Sequence, residues 1–249
     1  MKTEHNRSVL VLRSTIFWIW SIANTLVMGA PVLLGRLISY NLSADMSHVW
    51  LRGNLWGLKH ICGVTWKVEG VENVPGHPCL VLAKHQSTWE TYFIPTLLPR
   101  SVYVAKKSLS YIPIFGWSIA ALNFILIDRS SGRSAMSQMV EQSRQRFADG
   151  ISVIVFPEGT RRPVGSEPKY RIGGGMIAEQ TGVDVLPIAM NAGEFWPRLG
   201  YIKWPGEITL TIGPVIKSEG KKADQIIAET QEWIESRMSE ITVLDRFPY

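Results

Sequence analysis

Within the stretch VLAKHQSTWETYF, His85 stands five residues before Glu90. An imidazole beside a carboxylate can act as a general base. The acid fixes one ring nitrogen and favours the protonated ring, and the other nitrogen is left to take a proton. On one continuous helix, five residues turn the side chain by about 140°, so the two groups would face apart. They can meet if His85 lies in a strand-to-helix turn and Glu90 in the first helical turn. The same letters carry a second meaning, because Ser87-x-x-Glu90 is also a capping box in which Glu90 satisfies a helix N-terminus.

Three further segments place basic residues after apolar runs. VIVFPEGTRRP leads into Glu158, Gly159, Thr160 and Arg161; the glycine permits a tight turn, and the arginine fork suits phosphate oxygens. Arg162, Lys169 and Arg171 thicken the local positive field, although an ordinary polar loop would share this composition. VAKKSLSYIPIFGW ends an apolar run at Lys106 and Lys107, and FILIDRSSGR does so at Asp128 and Arg129. Parallel α/β sheets gather ligand sites at the carboxyl ends of their strands, so His85, Lys106, Arg129 and Arg161 converge on one edge. No GxSxG elbow occurs, which weakens a serine-hydrolase reading and leaves Ser87 or Thr88 as the remaining nucleophile alternative. No CxxC or HExxH occurs either, and two cysteines, Cys62 and Cys79, make no disulfide framework.

The elements that must hold these residues follow from the pattern. β-rich runs at 66–69, 79–83, 102–105, 124–127, 151–156, 185–190 and 208–212 alternate with helical stretches. This predicts an α/β fold with a mostly parallel sheet of about seven strands flanked by helices. The tail 223–241 puts Ile226, Ile227, Trp233, Ile234, Met238 and Ile241 near one helical face and is expected to cap the domain.

Ahead of the strands, Ser14 to Gly35 is a run of 22 residues without a formal charge. As a helix it would be roughly 33 Å long, close to a hydrocarbon core. Basic residues flank it on both sides, and Gly29 and Pro31 could bend it, so a single span and a re-entrant membrane-seated helix are both open, with a buried core helix as the soluble alternative. Residues 45–62 are expected to lie along the interface with Trp50, Trp56 and Ile61 towards lipid. The expected division is therefore a membrane-associated helical motif at 1–62 and an α/β domain at 63–249. A hydrophobic fraction of 46% excludes a disordered chain, and a net charge of +5 favours anionic partners.

Taken in order, His85-QSTW-Glu90, Phe124-ILI-Asp128-Arg129, Phe156-Pro157-Glu158-Gly159-Thr160-Arg161 and Leu186-Pro187-Ile188-Ala189 resemble the motif blocks of the glycerolipid acyltransferase superfamily, specifically its bacterial 1-acylglycerol-3-phosphate acyltransferases. The likeness runs from about Val64 to Gly213. It departs at Glu90, where the family pattern is usually His-x4-Asp. The resemblance implies His85 as general base, Glu90 as its orienting acid, and Lys106, Lys107, Arg129 and Arg161 at the substrate phosphate. Glu158, Gly159, Thr160 and Pro187 would support the motifs. It also implies acyl-CoA or acyl carrier protein as donor, lysophosphatidic acid as acceptor, and direct attack with no metal or other cofactor. The site would face the cytoplasm at the inner membrane. Glycerol-3-phosphate or another lysolipid is the alternative acceptor. A non-catalytic basic module binding membrane or nucleic acid is the alternative of another class, and no nucleic-acid partner is expected.

Overall fold

The computed structural model describes residues 6–128, 132–166 and 168–243. It opens with two helices, α1 (Arg7–Ile38) and α2 (Tyr40–Cys62). Ser39 separates them, and its hydroxyl accepts the Leu42 N–H at 3.1 Å, capping α2. Pro31 lies inside α1 without ending it. The helices run back along each other. Ser43 bonds to the Val32 carbonyl, Asn24 to that of Trp50, Trp20 to that of Gly53, and the Cys62 thiol reaches that of Arg13.

Among the described residues, seven strands and five more α-helices follow. They are β1 (Val64–Glu69), β2 (Leu80–Ala83), α3 (Trp89–Leu97), β3 (Ser101–Lys106), α4 (Phe115–Ala121), β4 (Ile125–Ile127), α5 (Gly132–Ala148), β5 (Ser152–Val155), α6 (Gly173–Thr181), β6 (Val185–Met190), β7 (Gly206–Ile212) and α7 (Ala223–Ile241). The sheet order is β1-β7-β6-β2-β5-β3-β4, parallel except where β6 meets β7. The α/β fold and the mostly parallel seven-stranded sheet agree with the sequence pattern.

Alternation along the buried strands supplies two apolar layers. Val81, Ala83, Ile154, Leu186 and Ile188 face a core shared with Phe17 of α1, α2 and α3. Leu80, Leu82, Val153, Val155 and Val185 face the opposite core, closed by α5, α6 and α7. Pro187 sits in the middle of this sheet, where a missing N–H is normally costly. Its carbonyl accepts from Gly213 just past the end of β7, so the absent donor points where that partner strand has stopped.

The second helix departs from expectation. Trp56 is 51% exposed. Trp50 instead points inward: its indole N–H donates to Thr25 at 3.0 Å and its ring meets Tyr92 edge-on at 5.3 Å. Ile61 packs against the core. A helix docked on two neighbours buries more of its circumference than one lying on lipid alone, which is why its apolar residues do not share a single outward face.

Candidate active site

The last core residue of β2 is Ala83, and the chain then turns before α3 begins at Trp89. This turn brings His85 and Glu90 together, with Nδ1 of His85 2.9 Å from Oε1 of Glu90. The same oxygen accepts the backbone N–H groups of Gln86 at 2.9 Å and Ser87 at 2.7 Å. Glu90, fully buried, gathers the two N–H groups that lead into the helix and holds the imidazole at once, while the helix N-cap, Thr88, makes no side-chain capping bond. The Ser87 hydroxyl accepts from Trp89 N–H at 3.2 Å and so serves the turn. With Nδ1 engaged, Nε2 is the nitrogen available to take a proton.

The loop after β5 is stitched to this turn. The His85 N–H donates to Glu158 Oε1 at 3.1 Å, and the His85 carbonyl accepts from Arg162 N–H at 2.8 Å. Phe156 lies flat against the imidazole, ring centroids 3.8 Å apart and planes within 8°. Gly159 adopts φ +72, a left-handed backbone that favours glycine, and a Cβ there would meet the flexible Arg171 side chain at 2.7 Å. Tyr103 of β3 donates its hydroxyl to the Glu90 carbonyl at 3.2 Å, fixing the start of α3 from a third side.

Beneath the turn lies a charged cluster assembled from distant parts of the chain. Lys84, 2% exposed, donates to both oxygens of Glu235 on α7 at 2.8 and 3.0 Å and sits 3.6 Å from Glu158 Oε1. The Tyr170 hydroxyl donates to Glu235 at 2.7 Å. Burial pushes the Glu158 carboxyl up to about 7, with Lys84 pulling the other way. Lys84 and Glu235 are 151 positions apart, a pairing no local pattern announces.

His85 opens on a cavity of about 1070 Å³ with a chiefly apolar lining. Ile22 and Leu26 of α1, Trp50 of α2, Ile119 of α4 and Met139 of α5 line its walls. Lys106, Thr160 and Arg161 stand on the same lining as His85; Lys107 does not. Arg129 lies outside the described residues. Among the described residues, no group of three or more His, Cys, Asp and Glu is arranged to hold a metal ion.

Fold and site together define an α/β enzyme with a histidine–carboxylate pair on the wall of an apolar cavity. The sequence profile of the acyltransferase family matches residues 65–191. The chain is 37% identical to the 1-acyl-sn-glycerol-3-phosphate acyltransferase of Pseudomonas aeruginosa, across 96% of this chain and 95% of that protein. It is 29% identical to the human 1-acyl-sn-glycerol-3-phosphate acyltransferase alpha, across 72% of this chain and 64% of that one. The crystal structure of the 1-acyl-sn-glycerophosphate acyltransferase PlsC from Thermotoga maritima shares the fold, with a TM-score of 0.78 at 24% identity, covering 96% of this chain and 97% of that one. The chain belongs to the acyltransferase family.

Proposed function

We propose that this enzyme moves a fatty acyl group from acyl-CoA or acyl carrier protein to the free hydroxyl of 1-acylglycerol-3-phosphate, giving phosphatidic acid. The reading rests above all on the wall that His85, Lys106 and Arg161 share: one cavity offers a base, cations for a phosphate and apolar space for a chain. Nε2 of His85 removes the hydroxyl proton as the oxygen attacks the thioester carbonyl carbon. Glu90 favours the resulting imidazolium. The tetrahedral intermediate collapses with cleavage of the C–S bond, and the imidazolium returns its proton to the departing thiolate. Lys106 and the Arg161 fork hold the phosphate so that the hydroxyl is positioned for attack.

The membrane reading rests on α1. It is long and apolar enough to cross a bilayer, and Leu12, Ile16, Ile19, Leu26, Val27 and Leu34 are exposed along it. Such a stripe suits a chain seated at the cytoplasmic face of the inner membrane, where the acceptor's own tail lies.

The test is incubation of purified protein with labelled 1-acylglycerol-3-phosphate and each donor. Phosphatidic acid should form, and His85→Ala should reduce its rate by about 10²–10⁴-fold while remaining folded. Activity of His85→Ala within a factor of about three of wild type would remove His85 from the chemistry.

A further inference from the structure

The turn between the short helix at Ala192–Glu194 and β7 holds a leucine in an unfavourable place. The Gly200 N–H donates to the Pro197 carbonyl at 2.9 Å, closing a four-residue turn over Arg198 and Leu199. Leu199 takes φ +59 at the third position, where glycine or asparagine is the usual occupant. A left-handed backbone strains a leucine, and this one is 90% exposed, so no packing within the protein offsets that strain. In water, both the strain and the bare side chain count against the fold. Immersed in an apolar phase, the side chain would recover its burial.

What lies beside the turn identifies that phase. The Tyr201 hydroxyl is 2.7 Å from Thr15 Oγ1 on α1. Thr15 stands among Leu12, Ile16 and Ile19, which are 60%, 46% and 64% exposed, so the turn continues the apolar stripe of α1. The base of the turn is rigid. Lys203, 1% exposed, holds its ammonium over Trp18 at 3.8 Å and Trp196 at 4.7 Å, donates it to the Tyr201 carbonyl at 2.8 Å, and gives its backbone N–H to Ser14. Arg198 and Arg13 are exposed alongside, which suits anionic headgroups.

We infer that the Pro197–Gly200 turn is a second membrane contact, with Leu199 wedged into the headgroup–acyl boundary of a phospholipid bilayer beside α1. This rests on the reading that α1 seats the chain on a membrane. It places the active site relative to that surface, because Arg198 Nη1 donates to the Arg161 carbonyl at 3.1 Å. The turn that touches lipid also touches the residue assigned to the acceptor's phosphate, so a lysolipid reaches the site sideways from the bilayer.

Leu199→Gly tests this without threatening the fold, since glycine relieves the strained φ. Its melting temperature should equal or exceed that of the wild-type chain, and its turnover of detergent-dispersed substrate should be unchanged. Its partition onto vesicles of phosphatidylethanolamine and phosphatidylglycerol should fall about tenfold. An environment-sensitive fluorophore on Leu199→Cys reports depth directly, since the native Cys62 and Cys79 are buried. It should shift to the blue on vesicle addition and be quenched by shallow spin-labelled lipid. Unchanged partition of Leu199→Gly, or a water-like probe at 199 while a probe on Ile19→Cys shifts, overturns the wedge and leaves the α1 reading standing. Silence of both probes, with the protein left in the supernatant, overturns both.

Discussion

Phe156 covers one face of the His85 imidazole, the two rings stacked 3.8 Å apart. Tyr103 lies behind Phe156 at 5.6 Å, so the histidine rests on a supported aromatic floor. Glu90 fixes the ring edge-on and Phe156 fixes its tilt. Phe156→Leu keeps an apolar contact but loses the flat support. Its kcat should fall up to about tenfold, in line with the strength of aromatic pairs, with KM for both substrates nearly unchanged. A change confined to KM would assign Phe156 to substrate binding.

Glu90→Gln separates charge from shape. The amide oxygen can still accept from Gln86, Ser87 and the His85 ring, so the turn should survive and the melting temperature should barely move. The charge that favours imidazolium is gone, and kcat should fall about 10–10²-fold. Loss of stability with full activity in the folded fraction would reduce Glu90 to a helix cap.

Arg161→Lys retains a charge and loses the fork. With acyl carrier protein as donor, KM for the phosphorylated acceptor should rise several-fold, as loss of about 1 kcal/mol of binding implies, and KM for the donor should not. Equal rises would mean that Arg161 shapes the cavity wall for both substrates.

Glu158 gives the fold a pH dependence with a defined sign. Its carboxyl, ordinarily near 4.5, is held up to about 7, so the folded chain keeps this proton to higher pH than the unfolded chain does. Stability from this group is therefore fully present below about 4.5, declines as pH rises to about 7, and is level beyond, by about 3 kcal/mol in all. Urea midpoints at pH 5, 6, 7 and 8 should show the decline, and Glu158→Gln should flatten it. Parallel curves for the two proteins would contradict the assignment.

Gly29 tests the seating of α1. A Cβ added there would lie 2.1 Å from Cγ2 of Ile114, at the N-terminus of α4. Gly29→Ala should destabilise the chain by about 1–3 kcal/mol through overpacking, read as a lower urea midpoint. An unchanged midpoint would show that α1 and α4 separate freely.

The strands are legible because each is a short apolar run bounded by polar turns, and the apolar run 185–190 coincides with the strand Val185–Met190. The antiparallel approach of β7 to β6 is not, since strand direction leaves no mark on composition. The spacing of His85 and Glu90 makes their meeting conditional on a turn, and the structure supplies that turn. The inward aim of Trp50 is not legible, because apolar residues on a helix look alike whether they meet lipid or protein. The burial of Lys84 and Lys203 is hidden for a similar reason: it is decided by Glu235 in one case and by Trp18 and Trp196 in the other, none of them a neighbour in the chain.

The pairing of Lys84 with Glu235 also bears on the order in which the protein is made. Translation delivers α1 first, the His85 turn and Glu158 later, and α7 last. Until Glu235 arrives, Lys84 faces Glu158 without its bidentate partner, and the floor under the His85 turn is incomplete. The first helix is thus complete well before the site is. Chains released short of α7 would lack Glu235 and carry a His85 turn whose buried lysine has lost its bidentate partner.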